Sequence, residues 1–317
     1  MHAIAVCGAT ATGKSHLAIK IAEAVGGEIV NCDSMQIYRG MDIGTAKPSL
    51  SDRARIPHHL YDFADISRGF SVAEYGAMAK DVINDIKSRG RVPVICGGTG
   101  LYLDAIVYDN KYSDEDNNTD NSDALREELY AFAAEHGAEA LHRRLADVDK
   151  SSAAAIHPNN IRRVARALEI YIKTGKPKSV WDAESRTGTI SPFITVIGVR
   201  YRDRERHRSA IRARCESMVE AGIVEEAREL FESGLLTEGS AASQAIGYKE
   251  FVPYLRGEET LSSAVDRLYY DTCRYAKRQA TWFYKKDYIR WLYADEQSED
   301  EMLADAIAYY NNVSNSH

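Results

Sequence analysis

The chain has 317 residues, of which 44% are hydrophobic and 27% charged, and its formal net charge is −7. That length suits one large domain or two, and that balance is ordinary for a soluble globular enzyme. No run of about 18 apolar residues occurs, which excludes a membrane-spanning helix, and the five cysteines include no Cys-x-x-Cys pair that would suggest zinc or thiol redox work.

The opening residues, Met1-His2-Ala3-Ile4-Ala5-Val6, read as a strand rather than a basic leader with a cleavage site, so a cytoplasmic protein is expected. Three short apolar runs, at 3–7 (AIAVC), 28–32 (EIVNC) and 92–96 (VPVIC), are continuous rather than alternating. Such runs suit strands buried on both faces of a parallel sheet. Cys7, Cys32 and Cys96 close them as small buried hydrophobes. Helical patterns cover 15–25 and 72–89, the second opening after Ser71 and stopping before Gly90. This is βαβ punctuation. A polar, acidic interval at 109–123 reads as an exposed loop. Helix-rich sequence follows at 122–137, 138–147 and 161–174, and a β-type run at 193–199 returns the chain to the sheet. Residues 110–192 are therefore expected to form a mainly helical insertion in a core made of 1–109 and 193–317. Further helical stretches at 204–234, 241–256 and 261–283 lead to a candidate edge strand at 289–293. The fold class expected is a P-loop NTPase-like α/β fold, a parallel sheet flanked by helices.

Gly8-Ala9-Thr10-Ala11-Thr12-Gly13-Lys14-Ser15 matches GxxxxGK[ST] in full, between a strand and a helix. Its glycines let successive N–H groups turn inward toward phosphate oxygens, and the helix opening there adds its positive end. Lys14 supplies a point charge, and the Ser15 hydroxyl can ligate Mg²⁺, the one metal expected.

Such a loop indicates a polyphosphate but not its fate. A nucleotide hydrolase or kinase would hold Mg²⁺ with an Asp after a second apolar strand. The 92–96 run leads instead into Gly97-Gly98-Thr99-Gly100, whereas 28–32 leads into Asp33. Asp33 is thus a base, a metal ligand, or a turn cap beside Ser34. Thr99, beyond a strand's C-terminal end, can place a hydroxyl in the ligand crevice or close a plain turn.

Charge is uneven. Seven arginines fall between Arg200 and Arg214, a second basic stretch includes Arg274, Lys277, Arg278, Lys285 and Lys286, and acid gathers at 295–301. Each alone reads as a solvated face.

Three longer strings carry a resemblance. They are Asp33-Ser34-Met35-Gln36-Ile37-Tyr38-Arg39-Gly40-Met41-Asp42-Ile43-Gly44-Thr45-Ala46-Lys47-Pro48, then His157-Pro158-Asn159-Asn160 with Arg163 and Arg166-Ala167-Leu168-Glu169, then Arg274-Tyr275-Ala276-Lys277-Arg278-Gln279 with Thr281-Trp282-Phe283. With the phosphate loop, Pro57-His58-His59-Leu60, Gly97-Gly98-Thr99 and Gly247-Tyr248, the chain closely resembles the bacterial tRNA dimethylallyltransferases from residue 4 to about 292.

The resemblance implies transfer of a dimethylallyl group from its diphosphate to the exocyclic amine of the adenosine 3′ of the anticodon. It implies catalytic roles for Asp33, Thr99 and, among the seven arginines, Arg214. It also implies tRNA contacts at Asp33, Ser34, Met35, Gln36, Thr99, Arg162, Arg163, Arg166, Gly247, Tyr248 and Lys249. The partners are then a tRNA anticodon stem-loop and dimethylallyl diphosphate, with no membrane and a monomeric protein. Arg162 stands where the family commonly has Gln, and Gln244 where it often has Arg. The acidic 109–123 interval replaces a Pro-containing stretch, and no Cys/His extension suggests the zinc-bearing eukaryotic form. Trp282-Phe283-Tyr284 reads as core rather than as a stacking platform.

Three rivals share part of this pattern. A P-loop kinase of a small metabolite or nucleotide explains the loop and Asp33 but not the Arg-rich helices. A non-catalytic ATP- and RNA-binding module leaves Asp33 and Thr99 idle. A prenyltransferase acting on free adenine nucleotides needs the same chemistry without a tRNA-sized surface.

Overall fold

The computed structural model describes residues 2–108, 122–185, 189–237 and 240–315; most of the acidic 109–123 interval lies outside them. Two compact units result, Met1–Val107 with Ser191–His317, and Tyr108–Ile190.

The first unit is built on one parallel sheet. Its strands are β1 (Ala3–Gly8), β2 (Gly27–Asn31), β3 (His58–His59), β4 (Val92–Gly97), β5 (Ile194–Arg200) and β6 (Arg290–Tyr293). Their spatial order is β3-β2-β4-β1-β5-β6, and every pairing is parallel. The continuous apolar runs hold the buried central strands, since β1, β2 and β4 are buried at every position. Cys7, Cys32 and Cys96 are buried as well. Helices Lys14–Val25 and Glu299–Ser314 share one apolar layer with the sheet, and Val72–Ser88 and Gly100–Val107 share another. Ser71 and Glu74 form the capping box that opens Val72–Ser88.

Strand order decides the site. β2, β4 and β1 are neighbours, so the segments leaving their C-terminal ends lie side by side. Those segments begin at Cys32, Gly98 and Ala9, far apart in sequence. The crevice beyond such ends is where open α/β sheets bind ligands.

Several elements depart from expectation. β3 is two residues long and too short for a periodicity to show. The expected helix at 204–234 is two helices, Arg204–Glu220 and Ile223–Glu232, broken where Gly222 takes φ 96°. The expected 241–256 helix is a chain of short pieces, Ala241–Gln244, Lys249–Phe251 and Val252–Leu255. The acid at 295–301 opens an unanticipated helix, Glu299–Ser314, with Ser298 and Glu301 as its capping box. Glu299, Asp300 and Glu301 sit in its first turn, where the helix dipole favours negative charge.

The second unit packs its helices, Ser122–His136, Ala138–Val148, Lys150–Ala155, Ile161–Thr174 and Lys178–Ser185, around Leu129, Leu141, Leu145, Val164 and Leu168. Asn160 caps Ile161–Thr174 by accepting the Arg163 N–H. Tyr108 and Ile190 pair across an antiparallel bridge, so the unit's two chain ends meet. Among the described residues no helix is long and apolar enough to cross a membrane.

Candidate active site

The phosphate loop leaves β1 through Gly8, where an added Cβ would lie 2.3 Å from the Val199 carbonyl oxygen. Ala11 (φ 60°) and Gly13 (φ 84°) take left-handed backbone, and the helix starts at Lys14. The Thr12 hydroxyl donates to the Ala9 carbonyl at 2.9 Å. The Thr10 peptide is held from outside the loop. Its N–H donates to Gln279 Oε1 at 2.8 Å, and its carbonyl lies 2.9 Å from His207 Nε2. Gln279 Nε2 in turn donates to the Gly98 carbonyl at 2.9 Å, so one amide ties the loop to the end of β4.

Asp33 follows β2. Its amide donates to Asn31 Oδ1 at 2.9 Å, and its Oδ1 accepts the Met35 N–H at 3.0 Å. The turn-capping role is therefore real. The carboxylate also lines the cavity, and the two roles coexist. Thr99, after β4, accepts the Ser34 N–H on its hydroxyl at 3.0 Å and reaches Ser34 Oγ at 3.2 Å.

These segments enclose a cavity of about 200 Å³. Thr10, Lys14, Ser15, Asp33 and Arg214 all line it. Lys14 is buried, and burial followed by the Arg214 charge lowers its ammonium from the ordinary value, with Asp33 opposing. Burial likewise lowers the half-buried Arg214, again against Asp33. Two desolvated cations face one carboxylate, an arrangement that favours an anionic guest.

The structure also distinguishes the seven arginines. Arg200 sits among the rings of Tyr284, Trp291 and Tyr293 at 4.8–5.1 Å. Arg202 pairs with Glu296, Arg206 donates to the Asp295 carbonyl, Arg208 pairs with Glu205 and Arg212 with Asp266. Arg214 alone of the seven lines this cavity. A second cavity of about 480 Å³, lined by Lys47, Arg53 and Asp62 among others, also includes Arg214.

Ser34, Met35 and Gln36 line the first cavity. Gln36 Nε2 donates to the carbonyls of Thr45 and Ala46 at 2.9 and 3.0 Å, closing the segment on itself. Glu226 holds the same segment from behind, accepting the N–H groups of Asp42, Ile43 and Gly44 and the Tyr248 hydroxyl at 2.7 Å. Tyr248 is thus fully buried rather than displayed, and an added Cβ at Gly44 would strike its ring at 2.5 Å. Gly247 is buried too, at φ 117° against Gly44, whereas Lys249 is exposed and lines the cavity. In the second unit Arg162 and Arg163 are exposed. Arg166 pairs at 2.9 Å with Glu169, whose buried carboxylate also takes Arg126 at 2.8 Å.

Sequence reasoning gave no role to Tyr275, Gln279 or His207. Tyr275 and Gln279 line the cavity, and burial, then the Asp33 charge, raises the Tyr275 phenol. Leu268, Thr272, Tyr275 and Gln279 share a helical spacing on Leu261–Phe283, the signal that marks this inward face. On the same helix Phe283 is buried as expected, while Trp282 and Tyr284 are exposed at 38% and 49%.

The chain matches the IPP transferase family over residues 36–286. It is 43% identical over 305 residues to a tRNA dimethylallyltransferase of Geobacillus kaustophilus, covering 96% of this chain and 94% of that protein. A full-length tRNA isopentenylpyrophosphate transferase of Bacillus halodurans superposes with a TM-score of 0.71 at 38% identity, covering 99% of this chain and 97% of the other. A eukaryotic dimethylallyltransferase acting on tRNA gives 0.83 at 29% identity, covering 99% and 80%.

Proposed function

The chain belongs to the IPP transferase family, and from that footing we propose that it transfers dimethylallyl from dimethylallyl diphosphate to the exocyclic amine of the adenosine 3′ of a tRNA anticodon. The observation that carries the reading is Lys14, Arg214 and the phosphate loop opposite Asp33 in one cavity. The kinase reading loses ground, because β4 ends in Gly97-Gly98-Thr99 with no carboxylate there for a metal.

The amine nitrogen bonds to the allylic carbon, the carbon–oxygen bond to diphosphate breaks, and one amine proton passes to the Asp33 carboxylate. The negative charge growing on diphosphate is met by loop N–H groups, Lys14 and Arg214, donors already fixed before reaction. Thr99 supports this by holding Ser34, and so the turn that carries Asp33. The cation expected here is Mg²⁺. The Ser15 hydroxyl lines the cavity, and a hydroxyl beside one carboxylate and substrate phosphates suits Mg²⁺, which seldom takes an all-protein cage. When bound it neutralises diphosphate charge.

A stacked base has to leave its loop to reach such a cavity. Asp33, Ser34, Met35 and Gln36 would receive it, with Thr99 holding their turn through Ser34 and Gly247 and Tyr248 packing behind at Gly44. Lys249, Arg162, Arg163 and Arg166 would meet phosphates, whatever the net charge. All five cysteines are free, which suits the cytoplasm, and the protein is read as a monomer. Purified protein with dimethylallyl diphosphate and an anticodon stem-loop tests the proposal. Prenylated stem-loop supports it. ADP formed from ATP with a small acceptor, or prenylation of free AMP alone, overturns it.

A further inference from the structure

One residue outside the cavity grips the phosphate loop. His207 lies 2.9 Å through Nε2 from the Thr10 carbonyl. Its ring stacks on Tyr201, with centroids 5.1 Å apart and planes 7° from parallel. Burial lowers the imidazole from its ordinary value. The ring is then neutral near pH 7, and the carbonyl selects the tautomer with its proton on Nε2.

His207 and Arg214 lie on the same helix, Arg204–Glu220, seven residues apart. That is about two turns, so both face one side. Ile211, between them, and Met218, one turn beyond Arg214, are buried on that side. One helix face thus meets the loop at His207 and the cavity at Arg214. The loop needs such support, because Ala11 sits at φ 60°, a conformation that costs a non-glycine residue energy unless its surroundings impose it.

We propose that His207 is a positioning residue, whose hydrogen bond to the Thr10 carbonyl fixes the phosphate loop against the Arg204–Glu220 helix. The loop amides and the Arg214 guanidinium then meet one diphosphate in a preset geometry. The inference rests on the diphosphate reading above. His207 lines neither cavity, and its influence passes through the loop.

The test uses the full chain. His207→Phe keeps a ring on Tyr201 and removes the donor, whereas His207→Gln restores an N–H at similar reach. Binding of inorganic diphosphate and of dimethylallyl diphosphate is measured by calorimetry, with KM for both substrates, kcat and melting temperature. His207→Phe is expected to weaken diphosphate binding about tenfold, the size of one hydrogen bond. KM for dimethylallyl diphosphate rises with it, while KM for the stem-loop stays put. His207→Gln recovers to within about threefold of wild type. Wild-type diphosphate affinity in His207→Phe overturns the proposal, and so does an equal loss in both variants. Should His207→Phe not fold, His207→Met removes the donor on a chain as long as that of Gln; weakened diphosphate binding relative to His207→Gln supports the proposal, and binding equal to wild type overturns it. A wild-type protein that neither binds dimethylallyl diphosphate nor prenylates the stem-loop sinks the diphosphate reading itself, before any variant is compared.

Discussion

Thr99 accepts the Ser34 N–H on its hydroxyl oxygen at 3.0 Å, joining the ends of β4 and β2 across 65 residues of sequence. Thr99→Val keeps the shape and leaves that N–H without its acceptor. The expected cost is about 1–3 kcal/mol of stability, with turnover reduced more than about tenfold if the Asp33 turn shifts. Melting curves and single-turnover rates on the stem-loop measure both.

Asp33 has two duties that one substitution separates. Asn at this position still accepts the Met35 N–H, now made at 3.0 Å, but cannot take a proton. Asp33→Asn is expected to lower kcat by about 10²–10⁴ while stem-loop affinity stays within about twofold. A collapse of binding, read by filter retention, would mean that the charge chiefly holds the turn.

Glu226 gathers three backbone N–H groups and a phenol on one carboxylate. Glu226→Ala strands these donors and is expected to destabilise the protein by about 3 kcal/mol. The urea midpoint reports this loss. Stem-loop binding is expected to weaken with it, because the 33–48 segment loses its anchor.

Burial raises the Glu250 carboxyl from 4.5 to about 7, against the Gly247 N–H that it accepts. Below pH 4.5 folded and unfolded chains both hold the proton. From 4.5 to about 7 the unfolded chain releases it first, so stability falls as pH rises, and above about 7 the penalty is constant. Glu250→Gln keeps an acceptor and has no such slope. Its melting temperature is expected to gain on wild type between pH 4.5 and 8; parallel curves would assign the slope elsewhere.

Much of this was legible in the residues, for identifiable reasons. The runs ending in Cys7, Cys32 and Cys96 are buried on both faces, so their strands could be read without knowing their neighbours. Gly8–Ser15 carries its chemistry in consecutive residues. His207 and Gln279 were not legible in this way, because each acts on Thr10 from a helix 197 or 269 residues away. The acid from Glu299 to Glu301 was read as surface charge, yet with Ser298 before it the same string is a helix start. Tyr248 sits in a string that the family resemblance links to tRNA, and only packing against Gly44 reveals that its side chain supports the segment from behind.

The bridge between Tyr108 and Ile190 makes the second unit a side branch of the chain. The sheet's continuity runs from Val107 to Ser191, whose N–H donates to the Val107 carbonyl at 2.9 Å. Evolution can therefore lengthen, shorten or recharge everything grafted at that junction without shifting the register of any strand. In heritable terms, the sheet and the segments that leave its strand ends are insulated from changes in length within 108–190.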